Sequence, residues 1–415
     1  YGEGEPTSVT RYVGFDKPVA TGQVYAVRGT SAGMASIEWE AVTADVAGNT
    51  LPADAVSYNL YLVEGQEATL VAENLKQTSM DYRVCEDTDE QKFVYFSVTA
   101  STTAGEGDSE ISALVPVGAA YTLPFNESFA NGRLSYIWGT LPLSQTCDVM
   151  LGQDTSIDGI DSYDGDNGLL IFNGTFRNDR ACIYTGVIHV DETGNPMLTL
   201  YYFNYDCSNT LSVQLTDYTT GDGLEIASVE MDPDAPEGWT RLVVDLSEYA
   251  GHDISILLLG TIVDSSTIII DNITIGNVNN NDLTVRNFSM PGRVAPGVSF
   301  NVALTYENTG LQPASGYSVS LYRNNELVET VDGVELAPGV CATVTFEQTA
   351  DATSARSLEY YAVVNFADDQ AQADNTTDRY AVKLVSPESP AIADLVATET
   401  GEGVSLQWSE PDLTS

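Results

Sequence analysis

Tyr121-Thr-Leu-Pro-Phe-Asn-Glu-Ser-Phe129, Asp158-Gly-Ile-Asp-Ser-Tyr-Asp-Gly-Asp-Asn-Gly168 and Ile268-Ile-Ile-Asp-Asn-Ile-Thr-Ile275 open, interrupt and close residues 120–279, the stretch on which the fold turns. Between them lie short apolar or alternating runs at residues 168–172, 181–190, 197–205, 211–216, 240–246, 254–259 and 267–275. Each run is bounded by Gly, Asn, Asp or Pro, the pattern of strands joined by turns, and no run of about ten or more residues keeps a helical period. This predicts an all-β domain large enough for a two-sheet sandwich.

Working outward, the same alternation continues on both sides. Residues 19–118 carry "MASIEWEAV" with Trp39, "VSYNLYLVEG" with Tyr58 and Tyr61, and "KFVYFSVTASTTAGEGDSE" with Tyr95. They are similar to a fibronectin type III repeat, whose seven strands would alternate Trp39 and the tyrosines into a core. Residues 280–386, after the polar breaker "NVNNND", resemble a CARDB-type immunoglobulin-like domain in "VALTYENTGLQPASGYSVSLYRN" and "NFADDQAQADNTTDRYAV". Residues 387–415 repeat the start of a fibronectin type III module, with Trp408 in the role of Trp39, and residues 1–18 read as the end of a preceding module. The expectation is therefore an array of tandem β-sandwiches, cut inside a repeat at each end.

The central block, residues 119–279, resembles the jelly-roll "cleaved adhesin" or "choice-of-anchor J" domains, which in turn resemble MAM domains. The resemblance rests on the order of "LPFNESF", Trp138-Gly139, the aspartate loop before "GLLIF", "GWTRLVVDLSEYAGHDISILL" and "IIIDNITI". Such domains occur in secreted and surface proteins of Bacteroidetes-type bacteria, including the haemagglutinin regions of gingipain-like proteases. The resemblance implies a non-catalytic role in adhesion or ligand binding, and a structural calcium ion near the ends of the first and last strands.

Charge narrows the partners. Sixteen basic residues against 60 acidic ones give a net charge of −44, a field that repels nucleic acid and anionic membranes and leaves many carboxylates for a hard cation such as calcium. No apolar run reaches the ~18 residues of a membrane span, so no membrane insertion is expected within these residues. Five cysteines without C-x-x-C spacing argue against a zinc site. One disulfide among Cys147, Cys182 and Cys207 is an open reading; the other is that they are buried small hydrophobes.

Two carboxylate groups are candidate cation ligands. Glu127 and Asp271 fall at equivalent ends of the first and last strands, where neighbouring strands would let them share calcium; the alternative is that both only cap strand ends. Asp158, Asp161, Asp164 and Asp166 lie within nine residues among glycines; Asp164 or Asp166 would ligate calcium, or the loop is a solvated turn, because the EF-hand spacing is not met. Among aromatics, Trp138 and Tyr163 are the candidate platforms for a glycan, with Tyr201, Tyr202 and Tyr205 on a strand whose alternation sends at least half of them into the core.

Catalysis has little support in the sequence. His189 and His252 are the only histidines, with no recognisable partners. Gly29-Thr-Ser-Ala-Gly33 matches G-x-S-x-G but precedes a period-two strand instead of a helix, so Ser31 reads as a turn residue. The expected role is a non-catalytic part of an exported or cell-surface protein, in which the central domain binds a glycan or an extracellular or host protein. The alternatives are accessory domains of a secreted peptidase or glycosidase, and a structural stalk.

Overall fold

In the computed structural model the chain is described at residues 7–8, 14–152, 160–205, 207–263, 265–350, 357–385, 395–401 and 403–409. The fold is all-β, a series of β-sandwiches whose other regular elements among these residues are single 3₁₀ turns. No helix of the described residues is long and apolar enough to cross a membrane. Residues 1–277 and 278–415 are two compact units. Asp158 and most of residues 1–13 lie outside the described residues.

The first unit contains two sandwiches. In the first, a three-stranded sheet runs in the order Val24–Arg28, Met34–Trp39, Ser79–Arg83, and faces a second sheet centred on Ser57–Glu64 and Lys92–Thr102. Period-two alternation buries Ile37, Trp39, Tyr58, Leu60, Phe96 and Val98 between the sheets. Trp39 meets Tyr58 edge-on with centroids 5.6 Å apart, and the Tyr58 hydroxyl accepts the Val42 amide hydrogen. Ser31 sits in the turn expected of it: the Met34 amide donates to the Ser31 carbonyl, and the Gly29 amide to the Met34 carbonyl.

The central sandwich opposes sheets of six and seven strands. In the six-stranded sheet the order is Cys147–Gly152, Leu169–Gly174, Thr267–Asn277, Pro196–Asn204, Gly238–Asp245, with the short strand Phe125–Glu127 also pairing Thr267–Asn277. The opposing sheet contains Trp138–Pro142, Asp179–Thr185, Asp253–Ile262, Ile188–His189 and Tyr121–Thr122, with Thr210–Asp217 joining Asp253–Ile262 to the edge strand Gly223–Glu230. Leu170, Phe172, Leu198, Leu200, Leu211, Val213, Ile256, Leu258, Ile268 and Ile270 fill the space between them. Continuous runs such as "IIID" are buried on both sides, because a second, smaller cluster of Ile160, Leu169, Ile171, Phe203 and Ile269 covers the outer face of the six-stranded sheet.

The five cysteines are all free thiols. Cys147, Cys182 and Cys207 are buried, and burial pushes the thiols of Cys147 and Cys182 up to about 11. The open choice between a disulfide and buried small hydrophobes is thus made in favour of the latter for these three, while Cys341 is exposed.

The second unit holds a sandwich of a three-stranded sheet, Leu283–Ser289, Ser299–Asn308 and Cys341–Thr349, against a five-stranded sheet built around Ser357–Asn365 and Ser318–Arg323. Its core includes Tyr306, Tyr317, Phe346 and Tyr360. The strands Val396–Thr400 and Gly403–Gln407 pair as a hairpin. Trp408, in the sequence position of the buried Trp39, is 57% exposed, against 5% for Trp39.

Candidate functional site

A single backbone irregularity organises the candidate site. Thr199 is opposite Thr274 while Tyr201 is opposite Asp271, so two steps on one strand span three on the other. The extra residue is Asn272, with φ +49°; asparagine tolerates this left-handed conformation better than a branched residue. A bulge reverses the inside–outside alternation. Ile273 and Ile275 therefore face the main core, whereas Asp271 shares the outer face with Ile269.

Asp271 is fully buried there. Its Oδ2 accepts the Tyr163 amide hydrogen at 2.7 Å, and its Oδ1 accepts that of Asn272 at 2.6 Å. The loop carrying Tyr163 is thereby clamped onto the sheet. Burial, then the charges of Asp164 and Asp166, push the Asp271 carboxyl up to about 8, against these two stabilising bonds. Asp164, at the exposed rim, is also raised, by partial desolvation first and by the Asp166 carboxylate. Asp166 Oδ1 is buried with no hydrogen-bond partner.

Of the four expected cation ligands, Asp164 and Asp166 lie near enough to Asp271 for their charges to act on its carboxyl. Glu127 stands apart from them, although its strand does pair with that of Asp271. It lies opposite Ile273, on the far side of the bulge, and its oxygens are occupied by the Phe129 amide at 3.0 Å and the Ser135 amide at 2.8 Å. Glu127 thus ties the turn after its own strand. Among the described residues no group of three or more His, Cys, Asp or Glu side chains is placed to hold a metal ion, so a calcium ion, with its six to eight ligands, would need oxygens beyond these carboxylates. Two features fit such an ion: a buried carboxylate oxygen without a partner, and a carboxyl group whose ionised form lacks compensating charge.

The aromatic candidates divide. Trp138 is buried in the main core, 6% exposed, with its ring centroid 5.9 Å from that of Phe125; the expectation of a surface platform there is corrected, because its strand faces Trp138 toward the opposing sheet. Tyr163 is half-buried on the outer face and stacks on Tyr201 at 3.6 Å and 15°. Trp239 completes the group, with ring centroids 6.0 Å from Tyr163 and 5.3 Å from Phe203, and its indole N–H donates to the Asp161 carbonyl at 3.2 Å. Its register opposite Phe203, two positions from Tyr201, places it on the face that carries Tyr201.

Both histidines do have partners, which sequence separation hid. His189 Nδ1 is 2.9 Å from Asp253 Oδ1, and His252 Nδ1 is 2.8 Å from Asp217 Oδ2. No nucleophile is bonded to either ring in these contacts.

These features define a β-sandwich with an acidic loop clamped over an aromatic face. The family described as CARDB matches residues 280–380. No curated protein matches the chain in sequence. The K1 cleaved adhesin domain of Lys-gingipain from Porphyromonas gingivalis W83 is similar at 18% identity and a TM-score of 0.30, over 37% of this chain and 98% of that one. A CARDB domain from Pyrococcus furiosus, solved in complex with di-metal ions, is similar at 21% identity and a TM-score of 0.24, over 26% and 91%. A carbohydrate-binding module solved with β-1,4-galactotriose is similar at 11% identity and a TM-score of 0.28, over 36% and 94%.

Proposed function

We propose that these residues form a non-catalytic binding segment of an exported, cell-surface protein, in which the central jelly-roll domain binds a glycan or an extracellular protein. The sandwiches before and after it in the sequence act as spacers. The observation that carries the reading is the outer face of the six-stranded sheet. There the backbone bond from Tyr163 to Asp271 holds a polar loop over stacked aromatic rings. Aromatic faces with fixed polar neighbours are what ligand sites are built from.

A structural calcium ion belongs to the same proposal, held by Asp164, Asp166 and Asp271. Its contribution is charge: it would neutralise carboxylates that otherwise repel one another and so fix the loop. The test is a glycan array together with pull-down of extracellular proteins, run on the whole chain with millimolar calcium and again with EDTA. Capture that is lost on Tyr163→Ala is expected. Absence of any capture in calcium sinks the reading.

A further inference from the structure

The five-stranded sheet of the second unit carries a polar cleft on the face turned away from its core. Leu358, Tyr360, Ala362 and Val364 of the strand Ser357–Asn365 enter the core, so alternation turns Tyr361, Val363 and Asn365 outward. On the neighbouring strand Val319 and Leu321 enter the core, and Tyr322, Ser320 and Ser318 stand opposite Tyr361, Val363 and Asn365. A returning segment runs along the other side of Ser357–Asn365. The Val364 amide donates to the Asn375 carbonyl at 2.9 Å and the Thr377 amide to the Ala362 carbonyl at 3.0 Å, which sets Thr376 opposite Val363. Around these positions lies a cleft of about 390 Å³, whose lining includes Val363, Asn365, Phe366, Gln372, Asn375 and Thr376, a volume within the range of roughly 300–1,000 Å³ for ligand sites. Gly316 also lines it; with φ +72°, it has no atom within 4 Å of where a Cβ would be.

No residue of the lining is charged. Three carboxamides and the Thr376 hydroxyl supply donors and acceptors together. Asn365 is held in place by the bond from its Nδ2 to Ser320 Oγ at 2.9 Å. Asn375 is only 3% exposed, and its Oδ1 is buried without a hydrogen-bond partner, a costly state that a donor reaching the cleft wall would relieve. Further along the same face Tyr361 and Tyr322 stack with centroids 4.9 Å apart and planes 4° from parallel. Arg379 lies over Tyr361, 4.4 Å from its centroid, and its charge is met by Glu359 at 2.6 Å. Carboxamides that both donate and accept match hydroxyl groups, which do the same, and the paired rings offer apolar surface for C–H groups. An anion meets the repulsion of the chain's net charge of −44, and a cation finds no carboxylate in the lining.

We propose that this cleft binds a neutral oligosaccharide, one sugar seated among Asn365, Gln372, Asn375 and Thr376 and the saccharide continuing over the Tyr361–Tyr322 pair. The inference goes beyond the binding function proposed above: it gives the second unit a ligand site of its own, separate from the Tyr163 face and independent of calcium.

The test is calorimetric titration of the whole chain carrying Tyr163→Ala, in EDTA, which takes the central domain's aromatic face out of the readout. The probes are maltohexaose, cellohexaose, mannohexaose and the acidic hexagalacturonate. Binding through one open cleft is weak, so it is read at equilibrium and not after the washes of an array. At least one neutral hexasaccharide is expected to bind, and hexagalacturonate at least about tenfold more weakly, a difference of ~1.4 kcal/mol. Gln372→Ala combined with Thr376→Val should lower the affinity for the neutral probe at least about tenfold, while thermal unfolding stays close to that of the parent because both side chains are exposed. Tyr322→Ala should lower it as well. No binding of any neutral hexasaccharide, equal affinity for hexagalacturonate, or an unchanged affinity in either variant overturns the proposal. Array capture by the parent chain with no binding in this titration overturns only this inference; binding here without array capture overturns only the central-domain reading.

Discussion

Gln91 of the first sandwich and Val187 of the second are joined by two hydrogen bonds that behave like a strand pair: Val187 N–H donates to Gln91 Oε1 at 2.7 Å, and Gln91 Nε2 donates to the Val187 carbonyl at 3.0 Å. The same Nε2 donates to the Ala119 carbonyl at 3.0 Å. Phe93 meets Tyr184 edge-on nearby, and Arg28 approaches Asp253 to 3.8 Å. One buried amide thus satisfies backbone groups on both sides of the junction.

Gln91→Ala takes their partner from the Val187 amide and the Ala119 carbonyl, while the Val187 carbonyl keeps the Tyr121 amide at 2.9 Å. The expected cost is about 2–4 kcal/mol, since each buried unsatisfied group costs ~1–3 kcal/mol. Urea unfolding of the parent should show the two sandwiches melting together, and the variant should separate them into two transitions. An unchanged single transition would show that the junction does not couple them.

Calcium is expected to raise the thermal midpoint of the metal-free protein, by about 2.7 kcal/mol of stabilisation at 100 times its dissociation constant. Asp271→Asn should abolish the rise. In EDTA, with the Asp271 pKa raised from 3.8 to about 8, the folded state binds a proton that the unfolded state has released. Its stabilising share is complete below about pH 4 and lost as pH rises toward 8, with a slope of up to ~1.4 kcal/mol per pH unit. Asp271→Asn should flatten that slope, which unfolding curves at a series of pH values in EDTA would reveal.

Asp217 gives the opposite pH response. Burial alone would raise its carboxyl, but the bonds from His252 and from Thr219 and Thr220 prevail and hold it below its ordinary 3.8. A depressed pKa contributes stability above the unfolded value that is lost as pH falls through the folded one. Asp217→Asn is expected to cost about 1–3 kcal/mol at neutral pH and to lessen the loss of stability in acid below pH 3.8, as followed by circular dichroism.

A Cβ at Gly260 would lie 2.5 Å from Phe172 Cδ2 and 3.2 Å from Ile268 Cδ1, across the central core. Gly260→Ala should cost about 1–3 kcal/mol by overpacking. Gly260→Ala combined with Phe172→Leu should recover part of that loss if the clash is its cause, which denaturant midpoints of the two variants would decide.

Thiol reactivity tests the cysteine assignment. Cys341 should react with a disulfide reagent in the native protein, and Cys147, Cys182 and Cys207 only after unfolding, because burial blocks access to all three and disfavours the thiolates of Cys147 and Cys182. Fewer than five thiols after unfolding without reductant would reveal a disulfide instead.

The sequence by itself determined the class of fold and most of its strands. Alternation is local, and runs such as Met197–Tyr205 and Thr267–Ile275 cannot sit on a sheet without burying one set of side chains. It failed at the edge strand Gly223–Glu230, whose half-exposed, charged residues lack a clean period, and at Trp138, whose apolar size says nothing about which way its strand faces. The candidate site was legible only as carboxylates and aromatics close in sequence. Tertiary structure decided the rest: one extra residue at Asn272 turns Asp271 away from Glu127 and under Asp164 and Asp166, and pairing across the sheet sets Trp239 beside Tyr163. Such choices depend on register between strands tens of residues apart, and register is a property of the packed sheets, which no single segment encodes.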